Sequence, residues 1–192
     1  MPTYFVILFI TIITYSTLLA GVLREKSTKT RNSFVLYLIV SLVWSLIILL
    51  FSLDVMGASR LWAGLAALSG LLTVVAYYHF ISVFVSSKAH WTVKLGYAAV
   101  FLVFVPLVAL GQIPESVSVA TGTINIHYGS YLYLMTATGT IFYILAVALL
   151  VRGYRATLDS LSRNRFAYLL AGLFIYLAFS VRMAPPYSGL SL

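Results

Sequence analysis

Six apolar runs, separated by short polar gaps, constrain this chain more than any other feature. They cover approximately residues 4–23, 34–53, 61–85, 93–110, 131–151 and 166–181. Each of the first five approaches the ~20 residues that an α-helix needs to cross a hydrocarbon core of about 30 Å. The sixth is shorter and runs into Arg182, Pro185 and Pro186. Backbone amides and carbonyls in lipid must pair within their own segment, so each run is expected to be a helix. A membrane β-barrel would instead show alternating strands of about ten residues. The expected fold class is all-α, a polytopic transmembrane helix bundle forming one domain over residues 1–192.

Composition supports lipid as the solvent. Hydrophobic residues make up 62% of the chain and charged residues 8%, against roughly 25% charged in soluble domains. The first run has no basic segment ahead of it and is too long for a signal-peptide core, so it reads as a permanent helix. The absence of cysteine excludes disulfides, thiolate metal sites and thiol catalysis. The net charge of +8 would suggest nucleic acid in a soluble protein. Here the basic residues fall in the gaps, where they set orientation and meet anionic head groups, so no nucleic-acid partner is expected.

Those gaps give the topology. Arg24, Lys26, Lys29 and Arg31 separate the first two runs, Lys88 and Lys94 flank the third gap, and Arg152, Arg155, Arg163 and Arg165 separate the last two. With these three gaps inside, only Arg60 and Arg182 lie outside. The positive-inside rule therefore places a multi-pass protein in the plasma membrane with its N-terminus outside. The external segment 112–130 alternates around Ala120, Thr121 and Gly122: Ser116 to Ala120, then Thr123 to His127. It reads either as a small extracytoplasmic β-hairpin or as an irregular loop.

Candidate chemistry is sparse. His79, in the run Tyr77-Tyr-His-Phe80, is the clear intramembrane ionisable residue. It is a candidate for sensing a signal, although a hydrogen bond to a neighbouring helix explains it more simply. Tyr128, Tyr131 and Tyr133 lie at the external entry of the fifth run and are candidate ligand-contacting residues. His90 beside Trp91 reads as an interface anchor, Asp54 and Arg60 as helix caps or a surface pair, and Asp159 as a helix cap. His127 with Glu115 is too small a set to imply a metal. The polar clusters on the first run (Thr11, Thr14, Tyr15, Ser16, Thr17) and the fifth (Thr136, Thr138, Gly139, Thr140) are expected at helix contacts, as are Ala63, Gly64, Ala66, Ala67 and Gly70 on the third. No phosphate loop, paired catalytic acids or nucleophile constellation occurs, so no enzyme activity, metal or cofactor is expected of these residues.

The stretches His127-Tyr-Gly-Ser-Tyr-Leu-Tyr, Leu150-Val-Arg-Gly-Tyr-Arg and Ser162-Arg-Asn-Arg-Phe-Ala-Tyr-Leu-Leu-Ala-Gly-Leu173, with Asn32-Ser-Phe, Trp44 and His79-Phe80, carry a resemblance. They resemble the seven-helix N-terminal sensor region of prokaryotic histidine kinases, which also heads some diguanylate cyclases. The resemblance implies an N-out bundle in a two-component or related signal-transduction system, working as a homodimer. It also implies a seventh helix and a cytoplasmic signalling domain beyond Leu192, so the chain is expected to be a fragment ending before helix seven. The expected function is sensing of a small-molecule or membrane signal. The alternative is a small transporter or channel subunit, which would want intramembrane charges or broken helices. A lipid-metabolising enzyme would want more acids, and a purely structural assembly partner would show no ligand response.

Overall fold

A computed structural model of the chain describes residues 2–53, 59–86, 91–120 and 123–183. Six helices and one hairpin follow in order: α1 (Pro2–Leu23), α2 (Lys29–Ser52), α3 (Ser59–Ser86), α4 (Trp91–Ala109), β1 (Ser116–Ala120), β2 (Thr123–His127), α5 (Tyr131–Ala156) and α6 (Ser160–Met183). Among the described residues, α1 to α5 are long and apolar enough to cross a membrane. The 24 residues of α6 span ~36 Å at the α-helical rise. The protein is an integral membrane helix bundle. Asp54, Lys88, His90, Pro185 and Pro186, to which the sequence reading gave roles, lie outside the described residues.

The helices overrun the apolar runs at their basic ends. Lys29 and Arg31 stand in the first turn of α2, and Arg152, Arg155, Arg163 and Arg165 lie within α5 and α6 rather than in a gap. Hydropathy marks only the part of a helix that sits in hydrocarbon. Beyond it, long basic side chains carry their charge to the interface while the helix continues. Thr28 caps α2: its backbone is extended and its Oγ1 accepts from the Arg31 N–H at 3.1 Å. Arg31 in turn donates to Val22 O and Leu23 O, both at 2.9 Å, at the end of α1, where Val22 O also accepts the Glu25 N–H at 3.2 Å. Asp159 accepts from the Leu161 N–H at 3.3 Å, the cap expected there.

The chain divides into two compact units, residues 1–146 and 147–192. In the first, contacts pair residues in opposing order along α2 and α3: Phe34 with Phe80, Tyr37 with Tyr77, Trp44 with Gly70. The same holds for α3 and α4, where Gly64 meets Val108, Val75 meets Gly96 and Tyr78 meets Thr92. These neighbours are antiparallel. Leu71 with Gly139 and Tyr78 with Phe142 run in the same order, so α5 lies parallel to α3. More than half of α3 is buried, against under a quarter of each other span, which makes α3 the central helix. Its Val75, Ala76 and Ile81 have no exposure at all.

Two details depart from the sequence expectation. The hydroxyls of Thr11, Thr14, Thr17, Thr138 and Thr140 donate to carbonyls four residues back in their own helices, at 2.7–2.8 Å, rather than across a helix contact. A hydroxyl facing lipid has no water to bond, and its own preceding turn is the nearest acceptor. The second departure is a π-helical turn in α4 at Val100–Phe104. Pro106 has no N–H to offer Leu102 and its ring crowds that carbonyl; a wider turn, closed by the Val105 N–H on Val100 O, absorbs the misfit. In the second unit, the end of α5 and α6 form a helical hairpin. A Cβ on Gly153 would lie 2.7 Å from the Phe166 ring, so only glycine lets the ring this close to the α5 backbone.

Candidate functional site

Polar and aromatic side chains gather around both ends of α3. At the loop end, the segment after α4 folds back on α3. Gly111, at φ +69°, turns the chain, and the Ile113–Pro114 peptide is cis. Ile113 and Pro114 are fully buried. Ile113 O and Val108 Cγ1 approach so closely that a Cβ on Gly64 would be 2.9 Å from each. Gly64, expected at a helix contact, thus receives a loop backbone as well as a side chain of α4. Arg60, one turn earlier on α3, donates from Nε to Pro114 O at 3.2 Å and from Nη2 to Gly111 O at 2.5 Å. It holds the turn by two carbonyls, which is more than a surface pair.

The segment 112–130 is a hairpin, which decides between the two readings of its sequence. Its strands pair antiparallel, from Ser116 opposite His127 to Ala120 opposite Thr123. The Glu115 N–H continues the ladder to His127 O at 2.9 Å. His127 Nε2 stands 3.9 Å from a Glu115 carboxylate oxygen, with both side chains well exposed, so the pair adds little stability. Among the described residues no group of three or more metal-ligating side chains occurs. Gly129, at φ +72°, precedes α5 and lies directly under the Glu115 side chain.

At the opposite end, α3 carries Tyr77, Tyr78 and His79 on successive positions, and a helix points them towards three different neighbours. The Tyr77 ring meets that of Tyr37 on α2, edge-on at 5.3 Å, and Tyr143 of α5 lies within electrostatic reach. Tyr37 and Ser41 in turn lie within polar reach of Tyr15 of α1. The Tyr78 hydroxyl shares a 2.6 Å hydrogen bond with Thr92 of α4, and its ring packs on Phe142 of α5. His79 Nδ1 shares a 3.2 Å hydrogen bond with the Tyr97 hydroxyl of α4. Tyr15, Tyr37 and Tyr77 each stand eight or nine residues from the nearby helix end, about 12 Å at 1.5 Å per residue. The result is an aromatic layer near this end of α3, joining it to α2, α4 and α5, with Tyr15 of α1 set against α2.

This places the sequence candidates in two groups. His79 belongs to the aromatic layer and has the interhelical partner that a plain reading expects. Tyr131 and Tyr133 are exposed and Tyr128 half-buried, at the loop end, one helix length away from His79. The structure does not bring the four together. Sequence reasoning missed the Arg60 clamp and Tyr97, because both depend on which residues of α4 face α3. The only signal was Gly64 and Gly96 at close-packed positions.

Every fully buried side-chain nitrogen and oxygen among the described residues has a partner. Tyr78→Phe removes one link while keeping the ring. We expect it to lower stability by about 1 kcal/mol, the usual worth of an interhelical hydrogen bond in a membrane. The midpoint of unfolding in mixed micelles checks this, and Tyr133→Phe, on an exposed side chain, is expected to leave that midpoint unchanged.

Compared with family models, curated proteins and solved structures, the chain matches none.

Proposed function

We propose that this chain is a membrane-embedded sensory module, oriented in the plasma membrane with its N-terminus and hairpin outside and its basic helix ends in the cytoplasm. The observation that carries this reading is the position of α3. It is clamped to the external turn by Arg60 and Gly64 at one end, and tied through Tyr77, Tyr78 and His79 to α2, α4 and α5 at the other. A signal that favoured one seating of the turn would bias the packing of the layer, and the cytoplasmic helix ends would report it. The orientation follows from the bias of Lys and Arg toward one set of helix ends. The resemblance to the sensor region of histidine kinases fits the same reading, with a cytoplasmic signalling domain and a second copy as partners. The external tyrosines Tyr128, Tyr131 and Tyr133 are the proposed contact for a small apolar or aromatic molecule.

The test is a ligand screen on the chain reconstituted in lipid nanodiscs. A small apolar or aromatic compound that raises the unfolding midpoint should lose that effect when Tyr128, Tyr131 and Tyr133 are replaced by Ala. Ion or solute flux through reconstituted vesicles, abolished by His79→Ala, would instead establish a transporter.

A further inference from the structure

The wide turn of α4 absorbs the misfit at Pro106, but it leaves one main-chain carbonyl without a donor. A π turn pairs a carbonyl with the N–H five residues on, and the Val105 N–H goes to Val100 O. By the same pattern Phe101 O would accept from residue 106, which is proline and has no N–H. An α-helical bond would instead need the Val105 N–H, which is spent on Val100 O. Side chains do not fill the gap. The segment from Ala98 to Ala109 contains no polar side chain, and among the described residues no side chain of another helix donates to Phe101 O. Phe101 lies ten residues from Trp91 and eight from Ala109, the ends of the span, or about 15 Å and 12 Å at the helical rise. At that depth water is scarce, acyl chains carry no donor and an unpaired carbonyl is costly. The residues around it are open: Phe101, Leu102 and Val103 are 55%, 76% and 43% exposed.

We propose that the wide turn of α4 binds a membrane-dissolved alcohol, whose hydroxyl donates to Phe101 O while its apolar body lies along Phe101, Leu102 and Val103. Such a molecule needs one hydrogen-bond donor and otherwise only hydrocarbon, because the segment from Ala98 to Ala109 offers nothing to a second polar group. A second copy of the chain fits the site less well, since the exposed hydroxyls of Thr14, Thr17 and Thr140 already donate within their own helices. The proposal stands independently of the sensory reading. The missing donor follows from helix chemistry, whichever way the chain crosses the membrane.

Phe101–Leu102 is the one Phe-Leu step in the sequence. Phenylalanine labelled at its carbonyl carbon and leucine labelled at its nitrogen therefore give a single NMR signal, that of this peptide group. The full chain in lipid nanodiscs is titrated with dodecanol and, separately, with dodecyl methyl ether, which has the same chain and no donor. Dodecanol should move the Phe101 carbonyl signal downfield, as a new hydrogen bond does, and the shift should saturate. The ether should leave the signal in place. Pro106→Ala restores the missing N–H, so Phe101 O gains a main-chain donor whether the turn stays wide or closes to α geometry. In that variant the signal should start downfield and ignore dodecanol. The alcohol and ether arms need only the native chain, which keeps the test open where the variant does not fold. No response to dodecanol, an equal response to the ether, or a Pro106→Ala signal that still moves would overturn the proposal. So would a native signal already downfield without alcohol, since another donor, such as a second copy, would then fill the site.

Discussion

Gly96→Leu is expected to destabilise the bundle by about 3 kcal/mol, near the upper end of the ordinary cost of overpacking a core. Gly96 is the point where α3, α4 and α5 meet. A Cβ there would lie 2.8 Å from the Phe142 ring and 2.9 Å from Val75 Cγ1. Val75 is fully buried and Phe142 nearly so, so neither has room to retreat. Phe142 also packs on Tyr78, so its displacement would strain the Tyr78–Thr92 bond as well. Gly21→Leu, on α1, supplies the control. Nothing lies within 4 Å of a Cβ at Gly21, and replacing a helical glycine by a better helix former is favourable by up to about 1 kcal/mol. The same chemical change should thus lower the unfolding midpoint in micelles at one position, and leave or raise it at the other. Equal effects at both sites would mean that α4 does not pack on α3 and α5 as described.

The second large effect is expected at the loop clamp. Arg60→Ala removes both donors from Pro114 O and Gly111 O, while Ile113 stays in its buried seat. A hydrogen bond to a charged group contributes about 1.5–3 kcal/mol when buried. Arg60 is exposed, so solvent screening reduces the pair to about 1.5 kcal/mol in total. The opening should be local, because α3 keeps its contacts with α2 and α5. Amide exchange at Gln112 and Glu115 should therefore accelerate about tenfold, the equivalent of 1.4 kcal/mol, with little change in α2. Gly64→Val attacks the same seat from below, since its Cβ would meet Ile113 O, a backbone atom that cannot rotate away. It should produce the same local exchange pattern together with a loss of about 2 kcal/mol in overall stability.

Much of the fold is legible in the sequence because the bilayer leaves few choices. Apolar runs of about twenty residues give the spans, and alternation around Thr121 and Gly122 points to the hairpin. The helix ends are less legible. Arg152 and Arg163 break the apolar pattern without breaking the helix, since a long side chain can carry its charge out of lipid while the backbone stays helical. The site is least legible. Arg60 looked like a surface residue because its acceptors are backbone carbonyls fifty residues away, and carbonyls have no sequence signature. His79 stood out as a lone ionisable group, yet nothing in the sequence singled out Tyr97, its partner. The polar threonines of α1 suggested a helix contact but bond their own helix, and composition does not distinguish these outcomes.

The proposed sensory role requires that the turn after α4 and the aromatic layer communicate through α3. The chain has no cysteine, so spin labels can be placed at Glu25→Cys and Leu95→Cys, both exposed near the basic ends of α1 and α4. The distance distribution between them, recorded in lipid nanodiscs, would be compared with and without Arg60→Ala. The account predicts that releasing the turn shifts the distribution by about 1–2 Å or creates a second population, as helix shifts in signalling bundles do. An unchanged distribution, in a sample whose Gln112 and Glu115 amides exchange faster, would show the turn and the layer to be independent and would contradict the account.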